Sequence, residues 1–291
     1  MSEFQFVQLA DPQLGIIESW ANDPPERRAS MTEGFRRLGL IPSDGELPAP
    51  RPDLDGFSEE TRRFELAIDI VNTAQAKFVA VCGDVIHNFG NTAEREAALR
   101  VAERLDPDIP IRWVPGNHDV CPDHRTPTPE GLREYRQHFG EDYYSFEIDE
   151  TLFLVLNSEI FNQPQRIPGE VGRHLEFVRD ELGSQRGRDA QHLIAFMHTP
   201  LFIRDPETDQ GGVVSAENRQ LLLSVLTEHG VEAAFAGHLH LNRYAYHQGL
   251  QMVVSGAVGM PFWGEAGYRL VDVSDNGISH QYFPLEAVSS A

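Results

Sequence analysis

Five short apolar runs in this chain, near residues 4–9, 78–82, 111–114, 192–197 and 232–236, are each followed closely by aspartate, asparagine or histidine. They lead into "ADPQ" around Asp11, "GD" at Gly83 and Asp84, "PGNHD" from Pro115 to Asp119, "HTP" from His198 and "GHLH" from Gly237 to His240. Longer segments of helical period separate them, near 60–76, 92–105, 129–138, 171–183 and 216–229. Such alternation builds a largely parallel sheet, because parallel neighbours need a long crossover between them. The clearest helix is 60–76, where Phe64, Ala67, Ile68 and Val71 fall at i, i+3, i+4 and i+7, with Ser58 as the expected cap. One more strand is expected at 152–157. After residue 240 the pattern changes, and 242–247, 250–255, 268–273 and 278–283 read as consecutive strands. The expected class is α/β, with a mixed sheet or two sheets packed face to face between helix layers.

A chain of 291 residues has room for one large α/β domain or two small ones, and no linker divides it. The one long irregular stretch, 19–57, is rich in proline and charge and leaves directly from the Asp11 turn. A structureless stretch of that length is uncommon inside a compact domain, which favours a lid over a site. The net charge of −21 repels phosphate backbones and anionic headgroups, so nucleic acid and membrane are poor partners. Cys82 and Cys121 lack a Cys-x-x-Cys spacing, and no run approaches the length of a membrane span. A cytoplasmic protein is expected, and with no heptad run, a monomer.

Taken singly, each polar strand end has a plain explanation as a turn, a cap or a satisfied histidine. Their joint order argues otherwise, because the carboxyl ends of parallel strands line one crevice and the five clusters should converge there. The order Asp, Gly-Asp, Gly-Asn-His-Asp, His, Gly-His-x-His resembles the calcineurin-like metallophosphoesterase superfamily over residues 4 to about 260. Together "ADPQLG", "CGDVIH", "GNHD", "LFLVLNS" and "GHLH" are similar to its CPPED-type subgroup of protein phosphatases. The resemblance implies a four-layer αββα sandwich of two mixed sheets, two metal ions and phosphoserine/threonine phosphatase activity.

Carried over by position, Asp84 would bridge the two metals, Asp11 and His240 would bind the first, and Asn117, His198 and His238 the second. Oxygen and imidazole ligands without thiolate suit Mn, Fe or Zn better than Ca. The implied mechanism is phosphomonoester hydrolysis by a metal-bridging hydroxide, with His118 protonating the leaving alkoxide as general acid. Phosphorylated protein, or a small phosphoester, is the implied substrate. A phosphodiesterase for a small nucleotide or lipid headgroup, and a metal-binding scaffold with little turnover, are the competing functions.

Two positions depart from the superfamily. Gln13 stands where most members have histidine, and strand alternation would point it the same way as Asp11, as a candidate ligand to the first metal. His87 stands where many members have an aspartate that orients the catalytic histidine. It is ranked first as an accessory catalytic residue or substrate contact, and second as a metal ligand. Asp119 remains as the weak candidate for orienting His118. His124, His138, His174, His192, His229, His247 and His280 show no motif spacing and are expected to be structural or on the surface. Trp20, Phe262 and Trp263 are expected near the mouth, with packing as their main role. Arg125, Arg166 and Arg204, on loops at the same end, could pair with phosphate or acidic groups.

Overall fold

The computed structural model describes residues 3–54, 56–208 and 211–286. Its first half runs β1 (Phe4–Leu9), α1 (Ile16–Asn22), α2 (Pro25–Arg37), α3 (Ser58–Thr73), β2 (Val79–Cys82), α4 (Thr92–Ala102), β3 (Ile111–Val114), α5 (Asn117–Val120) and α6 (Pro129–Phe139). Then follow β4 (Tyr144–Ile148), β5 (Thr151–Val155), α7 (Ser158–Asn162), α8 (Glu170–Gly183), α9 (Gln185–Asp189), β6 (His192–Phe196), α10 (Ala216–Glu228) and β7 (Ala233–Ala236). Four strands close the chain: β8 (Arg243–His247), β9 (Leu250–Val254), β10 (Gly267–Ser274) and β11 (Gly277–Pro284).

They form two mixed sheets, ordered β11-β10-β1-β2-β3 and β4-β5-β6-β7-β9-β8. Strands β1, β2 and β3 are parallel, as are β5, β6, β7 and β9, so the carboxyl ends within each set face one way. The pleat sorts the side chains of β1 into two cores. Phe4 and Phe6 enter a layer between the sheets with Phe78, Phe153, Phe196 and Phe235. Val7 and Leu9 face the opposite way, against Phe64, Ile68 and Val71 of α3 and Ala98 and Val101 of α4. A third core packs the far side of the second sheet on α8 and α10 through Leu175, Val178, Leu222 and Leu226. Helices therefore flank two face-to-face sheets, the expected αββα sandwich.

Several local expectations are corrected. Helix α3 begins at Ser58 itself, with Phe57 at the N-cap and no side-chain cap. The proline-rich stretch is not structureless: α1 and α2 occupy its first half, with Pro25 opening α2, where a proline's missing N–H costs nothing. Trp20, Ile41 and Leu47 of that stretch pack with Ile16, Ile17 and Met260 in a separate apolar cluster. Asp55 lies outside the described residues. Strand β4 is an edge strand that the sequence reading lacked. No helix among the described residues is long and apolar enough to cross a membrane.

Candidate metal centre

All five polar strand ends meet at one point. A cavity of about 410 Å³ is lined by Gln13, Asp84, His87, Asn117, His118, His238 and His240, among others. Asp11 and His198 lie beneath it, both fully buried. The chain reaches this geometry through unusual backbone: Asp11, Gln13, Asp84, His124, His238 and His240 all have positive φ, six of the nine such non-glycine residues among those described. Left-handed conformations cost these residues energy and persist where the surroundings fix them, as at functional sites. The tight approach also needs glycine. A Cβ at Gly83 would lie 2.5 Å from His198 Nδ1, and one at Gly116 would overlap the backbone nitrogen and Oδ1 of Asp84.

The imidazoles are oriented by their second nitrogens. His198 donates from Nδ1 to the Cys82 carbonyl at 2.8 Å, and His240 from Nδ1 to the Met260 carbonyl at 2.6 Å. Each Nε2 is thereby turned to a carboxylate, His198 to Asp84 at 3.1 Å and His240 to Asp11 at 3.4 Å. Fixing one ring nitrogen on a carbonyl while the other faces the site is the usual arrangement around a metal-binding histidine. The Asn117 Oδ1 lies 3.1 Å from His198 Nε2, and His238 Nδ1 lies 3.3 Å from it. Asp84, His198 and His238 offer ligand atoms all within 4.8 Å of one another.

Burial sets the charge states. It pushes His238 and His87 down to about 3, with neighbouring histidines adding to the effect, and lowers His118 as well. A metal-binding histidine must be neutral, and the His238 ring meets that condition. At His198 burial acts in the same direction but the Asp84 carboxylate, with Asp11 and Glu159, overrides it and holds the pKa well above the usual value. Burial likewise opposes ionisation of Asp84, yet His198 and His118 keep its pKa well below the ordinary range. Two buried carboxylates thus draw positive charge to this point. The fit to a cation is sharpened by Gln13, whose Oε1 is buried and has no hydrogen-bond partner among the described residues. A buried oxygen left unpaired is costly unless something absent from the protein itself satisfies it, and a cation or its water does so.

His118 sits against this centre. Its backbone N–H donates to Asp84 Oδ1 at 2.9 Å, and its Nδ1 meets the His87 carbonyl at 2.5 Å, leaving Nε2 available. Asp119 does not orient it. That carboxylate accepts from the N–H groups of Val85 and Gly116 at 2.9 Å each, tying two motif turns together. Gln13 faces the cavity as expected, but not by strand alternation, since β1 ends at Leu9 and both Asp11 and Gln13 are left-handed.

His124 is the residue that sequence reasoning missed. Its ring lies 4.1 Å from His118 and 5.5 Å from His87, and its carbonyl accepts from Asn117 Nδ2 at 3.0 Å. The only signal available was its place five residues beyond the end of "GNHD" within a turn-rich segment. Trp20, Phe262 and Arg125 line the cavity, while Trp263 does not. Arg166 pairs with Asp123 at 3.5 Å, and Arg204 donates to the Leu38 carbonyl outside the cavity. The cavity is further lined by Trp20 and Asp23, by Arg27, Met31 and Phe35 of α2, and by Asp123, His124 and Arg125.

Comparison with known proteins agrees with this geometry. Residues 53–242 match the family model for calcineurin-like phosphoesterases. The chain is 32% identical to the serine/threonine-protein phosphatase CPPED1 of Danio rerio, over 98% of this chain and 86% of that protein. It is also 32% identical to CPPED1 of Homo sapiens, over 98% and 85%. A dimetal phosphatase from Danio rerio shares the fold, with a TM-score of 0.56 at 16% identity, covering 97% of this chain and 99% of that one.

Proposed function

The chain belongs to the calcineurin-like phosphoesterase family, a family of metal-dependent phosphoesterases, and we propose that it removes phosphate from phosphoserine and phosphothreonine in proteins. In this reading Asp84 would be shared between two cations, with Asp11, Gln13 and His240 holding the first and Asn117, His198 and His238 the second. The oxygen and imidazole donors suit Mn, Fe or Zn. Bound there, the cations supply a nucleophile at neutral pH and offset the charge of the phosphoryl oxygens.

The observation that carries the reaction class is the placement of His118. Its main chain is anchored on Asp84 and its ring on the His87 carbonyl, so one nitrogen is left to handle a proton at the cavity. A serine or threonine alkoxide is a poor leaving group and needs that proton. The carbonyl also favours the protonated ring, which burial opposes. The phosphoprotein substrate is supported by likeness to the CPPED1 phosphatases along nearly the whole chain. The proline-rich insertion, through Trp20, Met31 and Phe35, serves as a cover for one side of the mouth. The reading takes the protein as a single-domain cytoplasmic monomer.

The test pairs a phosphoserine peptide with bis(nitrophenyl) phosphate on the protein loaded with Mn²⁺, Fe or Zn²⁺, with bound metal counted. Faster turnover of the peptide supports a protein phosphatase. A faster diester reaction would make it a phosphodiesterase, and two bound metals without turnover would make it a scaffold.

A further inference from the structure

Gln13 and His87 touch each other, and neither assignment made from sequence explains why. Gln13 Nε2 lies 3.2 Å from His87 Nδ1. The amide nitrogen is a donor only, so the ring nitrogen accepts and the His87 proton resides on Nε2. This contact spends the donor end of the carboxamide and turns Oε1 away from His87, and that oxygen is the buried atom without a partner. The opposite orientation would present N–H groups to a site built to hold cations, which repel them.

The pairing is built by the backbone. Beyond the ends of β1 and β2, Gln13 N–H donates to the Asp84 carbonyl at 2.8 Å and Leu14 N–H to the Val85 carbonyl at 3.2 Å. Leu14 and Ile86 form an isolated parallel bridge, so Gln13 and His87 are carried on two short neighbouring segments. Buried carboxylates clamp both. Glu60 accepts from the N–H groups of Gly15 and Ile17 at 3.2 and 2.9 Å. Glu94 accepts from those of His87 and Asn88 at 3.1 and 2.8 Å. Hydrogen bonds that satisfy such carboxylates hold a turn in a single arrangement.

We infer that His87 is a positioning residue for Gln13: it fixes the carboxamide so that Oε1 is presented to the first cation, and it binds no cation itself. Together the two residues take the place of the histidine that most of the superfamily has at position 13. The inference rests on the two-metal reading of the centre but not on the identity of the substrate. Outer-shell groups that orient a ligand are typically worth ~10- to 100-fold in metal affinity.

Mn²⁺ alone, titrated into the metal-free full-length protein by calorimetry, tests it without reference to turnover. Gln13→Ala and His87→Ala should each weaken one of two sites by ~10-fold or more, and the double variant should be no weaker than Gln13→Ala, because His87 acts only through Gln13. A Gln13→Glu background provides the control for folding. A carboxylate presents oxygen in either orientation and needs no partner to orient it, so His87→Ala should cost little affinity there. Additive losses in the first pair, a persisting loss in the Gln13→Glu background, or no effect of His87→Ala on wild type would each overturn the inference. A wild type that binds Mn²⁺ as described but leaves phosphopeptide intact would sink the proposed function and leave this inference standing.

Discussion

The imidazole of His118 hangs from the main-chain carbonyl of His87, Nδ1 to oxygen at 2.5 Å, with the two rings stacked 4.6 Å apart. A neutral carbonyl does the work that an aspartate would do elsewhere in the superfamily. It fixes the ring and its tautomer but adds no full negative charge to raise the pKa.

His118→Asn should therefore lower the rate on an alkyl phosphate by ~10² to 10⁴ while leaving bound metal unchanged. A nitrophenyl phosphate, whose leaving group departs unprotonated, should lose far less. Comparing kcat on the two substrates checks this, and equal losses on both would make His118 a phosphate-positioning group instead.

Asp84→Asn should abolish turnover and reduce bound metal at both positions. The carboxylate meets His198 at 3.1 Å and receives the His118 N–H at 2.9 Å. A neutral amide keeps the shape but removes the charge that two cations would share under the proposed assignment. Metal analysis by mass spectrometry reads the outcome, and full occupancy in the variant would contradict a shared ligand.

Much of this centre was legible because each of its polar residues falls within a few positions of a strand end, so local pattern and parallel topology together bring Asp11, Asp84, Asn117, His198, His238 and His240 to one crevice. His124 was not legible. Its approach to His118 depends on the turn after Cys121 folding back beneath the Asn117 amide, a contact between side chain and main chain with no spacing of its own. The α1–α2 segment was hidden by composition, since its prolines suggested a loop and its apolar residues are few. They pack on Phe262 from beyond "GHLH", with Trp20 and Phe35 at 5.5 and 5.6 Å from that ring. Ser58 has the residue type of a cap, but the N-cap position falls on Phe57.

Arg125 is the arginine of the three proposed from sequence that reaches the cavity, and its guanidinium has no carboxylate partner among the described residues. The turn that carries it is fixed by Asp123 Oδ1, which accepts from the N–H groups of Arg125 and Thr126 at 3.0 and 2.6 Å. On a surface of net charge −21, this free cation favours anionic groups at the mouth. Arg125→Gln should raise KM for phosphopeptides with acidic flanking residues by about 2- to 5-fold, the scale of an exposed ion pair, with kcat unchanged. Arg125→Glu should raise it further. A loss independent of the flanking sequence would assign Arg125 to the phosphoryl group itself.

His174 yields a prediction about stability far from the chemistry. Its ring is fully buried, stacked 4.2 Å from Tyr143 and tilted 4.8 Å from Phe161, and neither nitrogen has a hydrogen-bond partner among the described residues. Burial alone pushes its pKa down to about 3. In the unfolded chain the same histidine takes up a proton near pH 6.5, so below that pH the unfolded state binds one proton that the folded state refuses. Stability is therefore unaffected by this group above pH 7 and falls as pH drops from about 6.5 toward 3. His174→Phe keeps the stack and removes the titration. Between pH 7 and pH 5 the wild type should lose about 2 kcal/mol more than the variant, the worth of ~1.5 pH units at ~1.4 kcal/mol each. Urea denaturation of both proteins at the two pH values measures the difference, and parallel losses would mean that His174 takes up its proton while the protein remains folded.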